Sequence, residues 1–97
     1  MRIAKINTDD ITALEQLEKV NEEENEFWDE VEKWGIEGNN TAELLAEMFD
    51  DFTSKYNLVR KLGISHEQIQ SHLKLHYQKL ENRHEEGRIN IESWEEC

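Results

Sequence analysis

The chain has 97 residues, enough for one small domain and too few for a two-domain enzyme. Its 23 acidic residues against 11 Lys and Arg give a net charge of −12, which repels phosphates and disfavours direct nucleic-acid binding. No apolar run approaches the roughly 18 residues of a membrane span, and the N-terminal sequence lacks the apolar segment of a secretion signal. We therefore expect a cytoplasmic protein that makes no membrane contact. Its single cysteine, Cys97, cannot form an intrachain disulfide and is treated as incidental.

The chain order of glycines and apolar residues predicts an all-α protein. Proline is absent, and four glycines divide the sequence into three long stretches. Apolar residues recur at helical spacing in each stretch and predict a bundle of three long helices, at about residues 9–34, 41–62 and 66–86. We expect one helical domain over residues 1–97, with a motif-bearing core at about 15–88 and a tail at 88–97.

Capping residues and tail composition refine this expectation. The predicted caps are Thr8, Asp9 and Asp10 for the first helix, Asn40 with Glu43 for the second, Gly63 at its end, and Ser65 with Gln68 for the third. In the tail, Ile89, Ile91 and Trp94 indicate either a strap that docks on the domain or a contact between subunits. With only 36% hydrophobic residues, the lone chain can bury little, which favours association with further copies.

Two pairs of carboxylates stand at helical spacing on successive predicted helices. Glu23 and Glu26 are three residues apart in the first helix, and so are Glu47 and Asp50 in the second, so each pair projects from one side of its helix. If the two helices pack antiparallel across the glycine turn, all four carboxylates can meet in one cleft. Their mutual repulsion is relieved by divalent cations, and oxygen ligands of this kind suit Mg²⁺, or alternatively Mn²⁺. Bound metal would also offset the repulsion of an anionic substrate.

These acids resemble the motifs of a known enzyme family. The segment Glu22-Glu23-Glu24-Asn25-Glu26 is similar to the EExxE motif, and Glu47-Met48-Phe49-Asp50 to the ExxD motif, of the MazG-like all-α nucleoside triphosphate pyrophosphohydrolases. The resemblance continues through a helix that ends near a glycine and a further helix that carries Lys79 and Arg83. It therefore covers about residues 15–88.

The resemblance implies hydrolysis of a nucleoside triphosphate to the monophosphate and pyrophosphate, as part of nucleotide-pool housekeeping. Carried over by position, it implies metal ligands at Glu23, Glu26, Glu47 and Asp50, a supporting or catalytic role for Glu22, and phosphate contacts from Lys79 and Arg83. Shorter members of the superfamily complete their sites across subunits, so a homodimer or homotetramer is expected.

Departures from the motifs keep other interpretations open. Glu24 and Asp51 stand where the family more often has aliphatic residues, and Glu30 is a further acid one turn after Glu26. The chain could keep the fold without the activity. It could instead be a non-catalytic acidic helical protein that binds a basic partner or mimics nucleic acid. Lys79 and Arg83 could equally be surface partners of nearby glutamates.

Overall fold

The computed structural model describes residues 2–96, so Cys97 lies outside the described residues. Within this range the chain is all-α, with no strand and with three helices: α1 (Ala13–Ile36), α2 (Thr41–Lys61) and α3 (His66–Glu85). The predicted fold class is confirmed, and the predicted ranges match the helices closely except at the start of α1. No helix in the described range has the length and apolarity needed to cross a membrane.

The N-terminus of α1 lies four residues later than the sequence predicted. Thr12 is the N-cap: its hydroxyl accepts a hydrogen bond from Glu15 N at 3.0 Å, and Thr12 N donates to Glu15 Oε1 at 3.1 Å. This reciprocal pair satisfies two backbone donors, which the predicted cap at Thr8 to Asp10 could not do without a Glu or Gln three residues on. Those residues form a turn instead, in which Ile11 N donates to Thr8 O at 3.2 Å.

Asn40 joins α1 to α2 rather than capping α2 with its side chain. The predicted pairing with Glu43 is wrong, since the Asn40 side chain makes no capping hydrogen bond. Its amide nitrogen donates to the Glu30 carbonyl oxygen at 2.9 Å and to Glu30 Oε2 at 2.6 Å. The connection also uses Gly38 at φ 68°, a left-handed conformation that favours glycine. The C-terminal part of α1 is thereby tied to the start of α2.

The chain divides into two compact units, residues 2–63 and residues 64–96. In the first unit, α1 and α2 pack against each other. Gln16 near the start of α1 bonds Ser54 near the end of α2, and Glu30 near the end of α1 bonds Asn40 at the start of α2. The two helices therefore run antiparallel, which is the arrangement that lets carboxylates from both helices meet.

The interior of the hairpin unit is small and partly polar. Val20 and Tyr56 are the apolar residues that are buried within residues 2–96. Beside them, the buried Gln16 donates from Nε2 to Ser54 O at 3.1 Å, which satisfies a side chain that would otherwise destabilise the core. Many large apolar side chains stay exposed, among them Leu14, Trp28, Leu45, Phe49 and Phe52.

The N-terminal segment, residues 2–12, is held against α2 by the side chains of Asn57 and Lys61. Asn57 Oδ1 accepts from Ile6 N at 2.7 Å, while Asn57 Nδ2 donates to Ala4 O at 2.9 Å. Lys61 Nζ adds a hydrogen bond to Thr8 O at 2.5 Å. Three contacts from one face of α2 thus fix an otherwise irregular segment.

The second unit consists of α3 and the tail. Ser65 and Gln68 form the predicted capping box at the start of α3. The Trp94 ring meets the Tyr77 ring edge to face at 5.5 Å, and Ile91 N donates to His84 Nδ1 at 3.1 Å. The tail therefore docks on α3, the first of the two interpretations given for it.

Candidate functional site

The antiparallel hairpin brings together three of the four predicted metal ligands. Glu23 and Glu26 of α1 and Glu47 of α2 each offer a carboxylate oxygen, and these atoms lie within 4.8 Å of one another. The spacing of three residues places the two α1 acids one turn apart on one side, while the antiparallel packing brings Glu47 opposite them. We call these three residues the acid cluster.

Asp50, the fourth predicted ligand, lies beside the acid cluster. Its negative charge helps to raise the pKa of both Glu23 and Glu47, and it lines the same pocket as Glu23. Glu22, the predicted supporting residue, is exposed, and its charge also adds to the raised pKa of Glu23. Three of the predicted ligands thus have carboxylate oxygens within 4.8 Å of one another, and the fourth, Asp50, is adjacent to them.

The acid cluster is electrostatically unfavourable without a cation. Burial raises the pKa of Glu23, and the charges of Glu26 and Asp50 raise it further. Burial is also the main reason that the pKa of Glu47 is raised, and the neighbouring Glu26 carboxyl raises it further. Glu23 Oε2 and Glu47 Oε2 are buried and have no hydrogen-bond partner. Two acceptor atoms are therefore available for a ligand.

A pocket of about 280 Å³ adjoins the acid cluster. Glu23 and Asp50 line it together with α1 and α2 residues and part of the N-terminal segment. The apolar part of the lining is Ile6 and Ile11; the other lining residues are Asn7, Thr8, Gln16, Lys19, Thr53, Ser54 and Asn57. The pocket thus combines an apolar wall, several hydrogen-bonding groups and two of the predicted ligands.

The two motif departures, Glu24 and Asp51, both form ion pairs with Lys55, a residue outside the predicted site. Lys55 Nζ lies 3.1 Å from Asp51 Oδ2 and 3.5 Å from Glu24 Oε1, so it pairs with an acid from each helix. These pairs raise the pKa of Lys55, and the largest cause is the hydrogen bond that Lys55 donates to Asp51. We call Glu24, Asp51 and Lys55 the salt-bridge cluster. Both of its acids thus contact a cation from α2.

Glu30, the further acid one turn after Glu26, has a structural partner as well. Its carboxylate accepts hydrogen bonds from Asn40 at 2.6 Å and from Lys33 Nζ at 3.1 Å. These two bonds, that from Asn40 first, lower the pKa of Glu30. Glu30 therefore joins the two helices and is not part of the acid cluster.

Lys79 and Arg83, the predicted phosphate contacts, lie on α3 in the second unit. They are one turn apart and line a pocket of that unit together with Leu75, Gln78, Asn82, Glu86 and Arg88. Neither takes part in an ion pair among the described residues. The surface pairing with neighbouring glutamates that the sequence also allowed is therefore not formed.

Sequence reasoning missed two residues that shape the pocket. Lys19 lies one turn before Glu23, and its charge partly offsets the raised pKa of that carboxyl. Asn57 lies two turns after Asp50 and holds the N-terminal segment that forms one wall. Both could have been identified from the sequence. Lys19 stands four residues before Glu23, and Asn57 seven residues after Asp50, so each shares a helix face with a predicted ligand.

Comparison with known proteins adds no relative: no family model matches the chain, and neither a curated protein nor a solved structure matches it.

Proposed function

We propose that this chain is a Mg²⁺-dependent nucleoside triphosphate pyrophosphohydrolase that releases pyrophosphate and a nucleoside monophosphate, and that it serves nucleotide-pool housekeeping in the cytoplasm. The observation that carries the proposal is the convergence of three carboxylates from two helices within 4.8 Å, next to a pocket of about 280 Å³. The resemblance of the two acidic motifs to the MazG-like superfamily supplies the reaction.

The donor atoms fit a hard divalent cation. Mg²⁺ and Mn²⁺ take carboxylate oxygens, and both Glu23 and Glu47 have a buried oxygen without a hydrogen-bond partner. Glu23, Glu26 and Glu47 would hold the ion, with Asp50 as the fourth ligand. A bound ion would offset part of the negative charge of the triphosphate and would lower the pKa of a coordinated water. Mn²⁺ can replace Mg²⁺ at such a site.

The residues around the cluster have separate tasks in this proposal. Lys19 lines the pocket beside Glu23 and contributes a positive charge toward the substrate. Ile6 and Ile11 offer an apolar wall to the nucleoside, and polar groups such as Asn7 and Thr53 offer it hydrogen bonds. Glu22 supports the ligands or the attacking water. On the second unit, we propose that Lys79 and Arg83 contact phosphate, as the resemblance implies.

We further propose that the protein works as a homodimer or homotetramer. The α2 helix exposes Leu45, Met48, Phe49 and Phe52 at spacings of three and four residues, which forms a continuous apolar strip. Light scattering should give a mass of two or four chains. Replacing Phe52 with Glu should shift that mass toward one chain, whereas the same change at the exposed polar Thr41 should not.

A screen for pyrophosphate release tests the activity directly. Nucleoside and deoxynucleoside triphosphates are each incubated with the protein and Mg²⁺, then with EDTA in place of Mg²⁺. Glu47→Gln is the test variant, and Glu43→Gln is its matched control because Glu43 is an exposed acid one turn earlier on α2. Release that needs Mg²⁺ and is lost in Glu47→Gln alone supports the proposal. If no triphosphate is hydrolysed and Mg²⁺ does not raise the melting temperature, a non-catalytic acidic interaction protein is the better description.

A further inference from the structure

A second pocket, of about 360 Å³, lies between the N-terminal segment and the C-terminal turn of α2. It falls in the size range of about 300 to 1,000 Å³ that small-molecule sites occupy. Three cationic residues line it, Lys5, Arg60 and Lys61. The remainder of the lining is Ile6, Asn7, Thr8, Asp9 and Asn57.

The positive charge of this pocket is not neutralised by neighbours. Asp9 is the one acidic residue in the lining, against three cations. None of the four ion pairs within residues 2–96 includes Lys5, Arg60 or Lys61. In a chain of net charge −12, a concavity with excess positive charge is a local reversal of the overall field.

Two of the three cations, Arg60 and Lys61, are held in place by contacts with uncharged groups. Arg60 Nη1 donates to Tyr56 Oη at 3.1 Å, and the guanidinium lies 5.9 Å from the centroid of the same ring. Arg60 Nε is buried and has no hydrogen-bond partner, so a charged donor remains unsatisfied there. Lys61 Nζ donates to Thr8 O at 2.5 Å, which leaves it further protons to donate.

We infer that this pocket binds the phosphate group of a small phosphate-bearing ligand, and that it does so without a divalent metal. Arg and Lys side chains bind phosphate oxygens through charge-assisted hydrogen bonds, and this pocket is lined by three of them. The acid cluster behaves in the opposite way, since it repels phosphate unless a cation is present. The phosphate could belong to the substrate, because this pocket shares Ile6, Asn7, Thr8 and Asn57 with the pocket beside Glu23, or to a separate ligand.

Calorimetric titration with inorganic pyrophosphate, in EDTA and at low ionic strength, tests the inference. We expect the unaltered protein to bind pyrophosphate, and Lys5→Gln and Arg60→Gln to weaken that binding by about tenfold or more. Lys5→Gln is the cleaner variant, because Arg60 also bonds Tyr56. Asp9→Asn should strengthen binding several-fold, because it removes a negative charge from the lining of the pocket. It should not disturb the local turn, because Asp9 bonds Asn7 through its backbone N–H and not through its carboxylate. Lys74→Gln, at an exposed lysine of α3, is the charge-matched control and should bind as the unaltered protein does.

The opposite signs expected for Lys5→Gln and Asp9→Asn separate a charged binding site from a loosened fold. Absence of pyrophosphate binding at millimolar concentration overturns the inference, and so does equal affinity in all four variants. Glu47→Gln should bind pyrophosphate normally in EDTA, so this inference can hold even if the proposed hydrolysis is absent. If hydrolysis is present, a raised KM in Lys5→Gln identifies the substrate as the source of the phosphate, and an unchanged KM identifies a separate ligand.

Discussion

The hairpin carries two groups of carboxylates that have similar composition and opposite electrostatic states. In the salt-bridge cluster, Lys55 lies within 3.5 Å of Glu24 and Asp51, so one cation partly offsets the charge of an acid from each helix. In the acid cluster, Glu23, Glu26 and Glu47 lie within 4.8 Å of one another, and burial and mutual repulsion raise the pKa of Glu23 and Glu47. Acids of the first kind stabilise the packing of two helices. Acids of the second kind cost folding free energy unless a ligand is bound.

The largest expected difference between the two clusters is in catalysis. Residues that only support a metal ligand contribute 10- to 100-fold in typical sites, so loss of a ligand itself should cost roughly 100-fold or more. We expect Glu47→Gln to lower kcat/KM for pyrophosphate release by at least that factor, measured at saturating Mg²⁺ with the best substrate from the screen.

The control for this prediction is Asp51→Asn, which removes the same charge from the salt-bridge cluster. Asp51 lies one turn after Glu47 on α2 and bonds Lys55. Its replacement should change kcat/KM by less than about threefold. Equal losses in the two variants would show that kcat/KM depends only on the stability of the hairpin. The assignment of the acid cluster as the site would then fail.

The charge of the acid cluster should make the free energy of unfolding of the protein depend on pH and on Mg²⁺. The raised pKa values of Glu23 and Glu47 mean that the folded protein holds more protons than the unfolded chain above the ordinary value of 4.5. The free energy of unfolding of the metal-free protein should therefore fall as the pH rises from about 4.5 through the raised values. Mg²⁺ at about 100 times its Kd should restore stability at pH 7 and raise the melting temperature by about 10 °C or more.

Scanning calorimetry across this pH range, with Mg²⁺ and with EDTA, checks both statements. In EDTA, Glu47→Gln should melt a few degrees above the unaltered protein at pH 7, because it removes one repelling charge, and Mg²⁺ should add little to it. Lys55 gives the contrasting response: its raised pKa means that its stabilising effect persists up to about 10.5 and is lost as the pH rises further. A melting temperature that is independent of Mg²⁺ in the unaltered protein contradicts the metal site.

The sequence was sufficient for the helices and for the convergence of three of the four predicted acids, because both depend on local periodicity. A spacing of three residues fixes which side of a helix Glu23 and Glu26 share, and a short connection makes the next helix antiparallel. The roles of Glu24 and Asp51 could not be predicted in the same way, because they depend on Lys55, which reaches an acid on the other helix. The same limit applies to Asn57, whose partners Ala4 and Ile6 are more than 50 positions away. The sequence pattern predicts that Asn40 caps α2 locally, whereas its partner is Glu30, ten residues earlier.

Asn40 differs from Lys55 because it donates a hydrogen bond to a carboxylate, that of Glu30, without carrying a charge. Its side chain is buried, at 8% exposure, and bonds both the backbone carbonyl and the carboxylate of Glu30. Asn40→Ala should lower the free energy of unfolding by about 1 to 2 kcal/mol, as expected for a buried hydrogen-bonding group. Urea unfolding would measure the loss. Asn39→Ala, at the exposed neighbour, should be close to neutral.

The smallest expected effect is that of Lys55 itself, even though it joins two carboxylates. Its side chain is 48% exposed, so solvent screens the attraction and the pair is worth little more than an ordinary surface ion pair. Lys55→Gln should lower the free energy of unfolding by about 0.5 kcal/mol and leave the response to Mg²⁺ intact, as measured by urea unfolding with and without the ion. If Lys55→Gln instead increased the affinity for Mg²⁺, the freed Glu24 and Asp51 would be acting as ligands. The difference between the clusters would then rest on one lysine and not on the geometry of the helices.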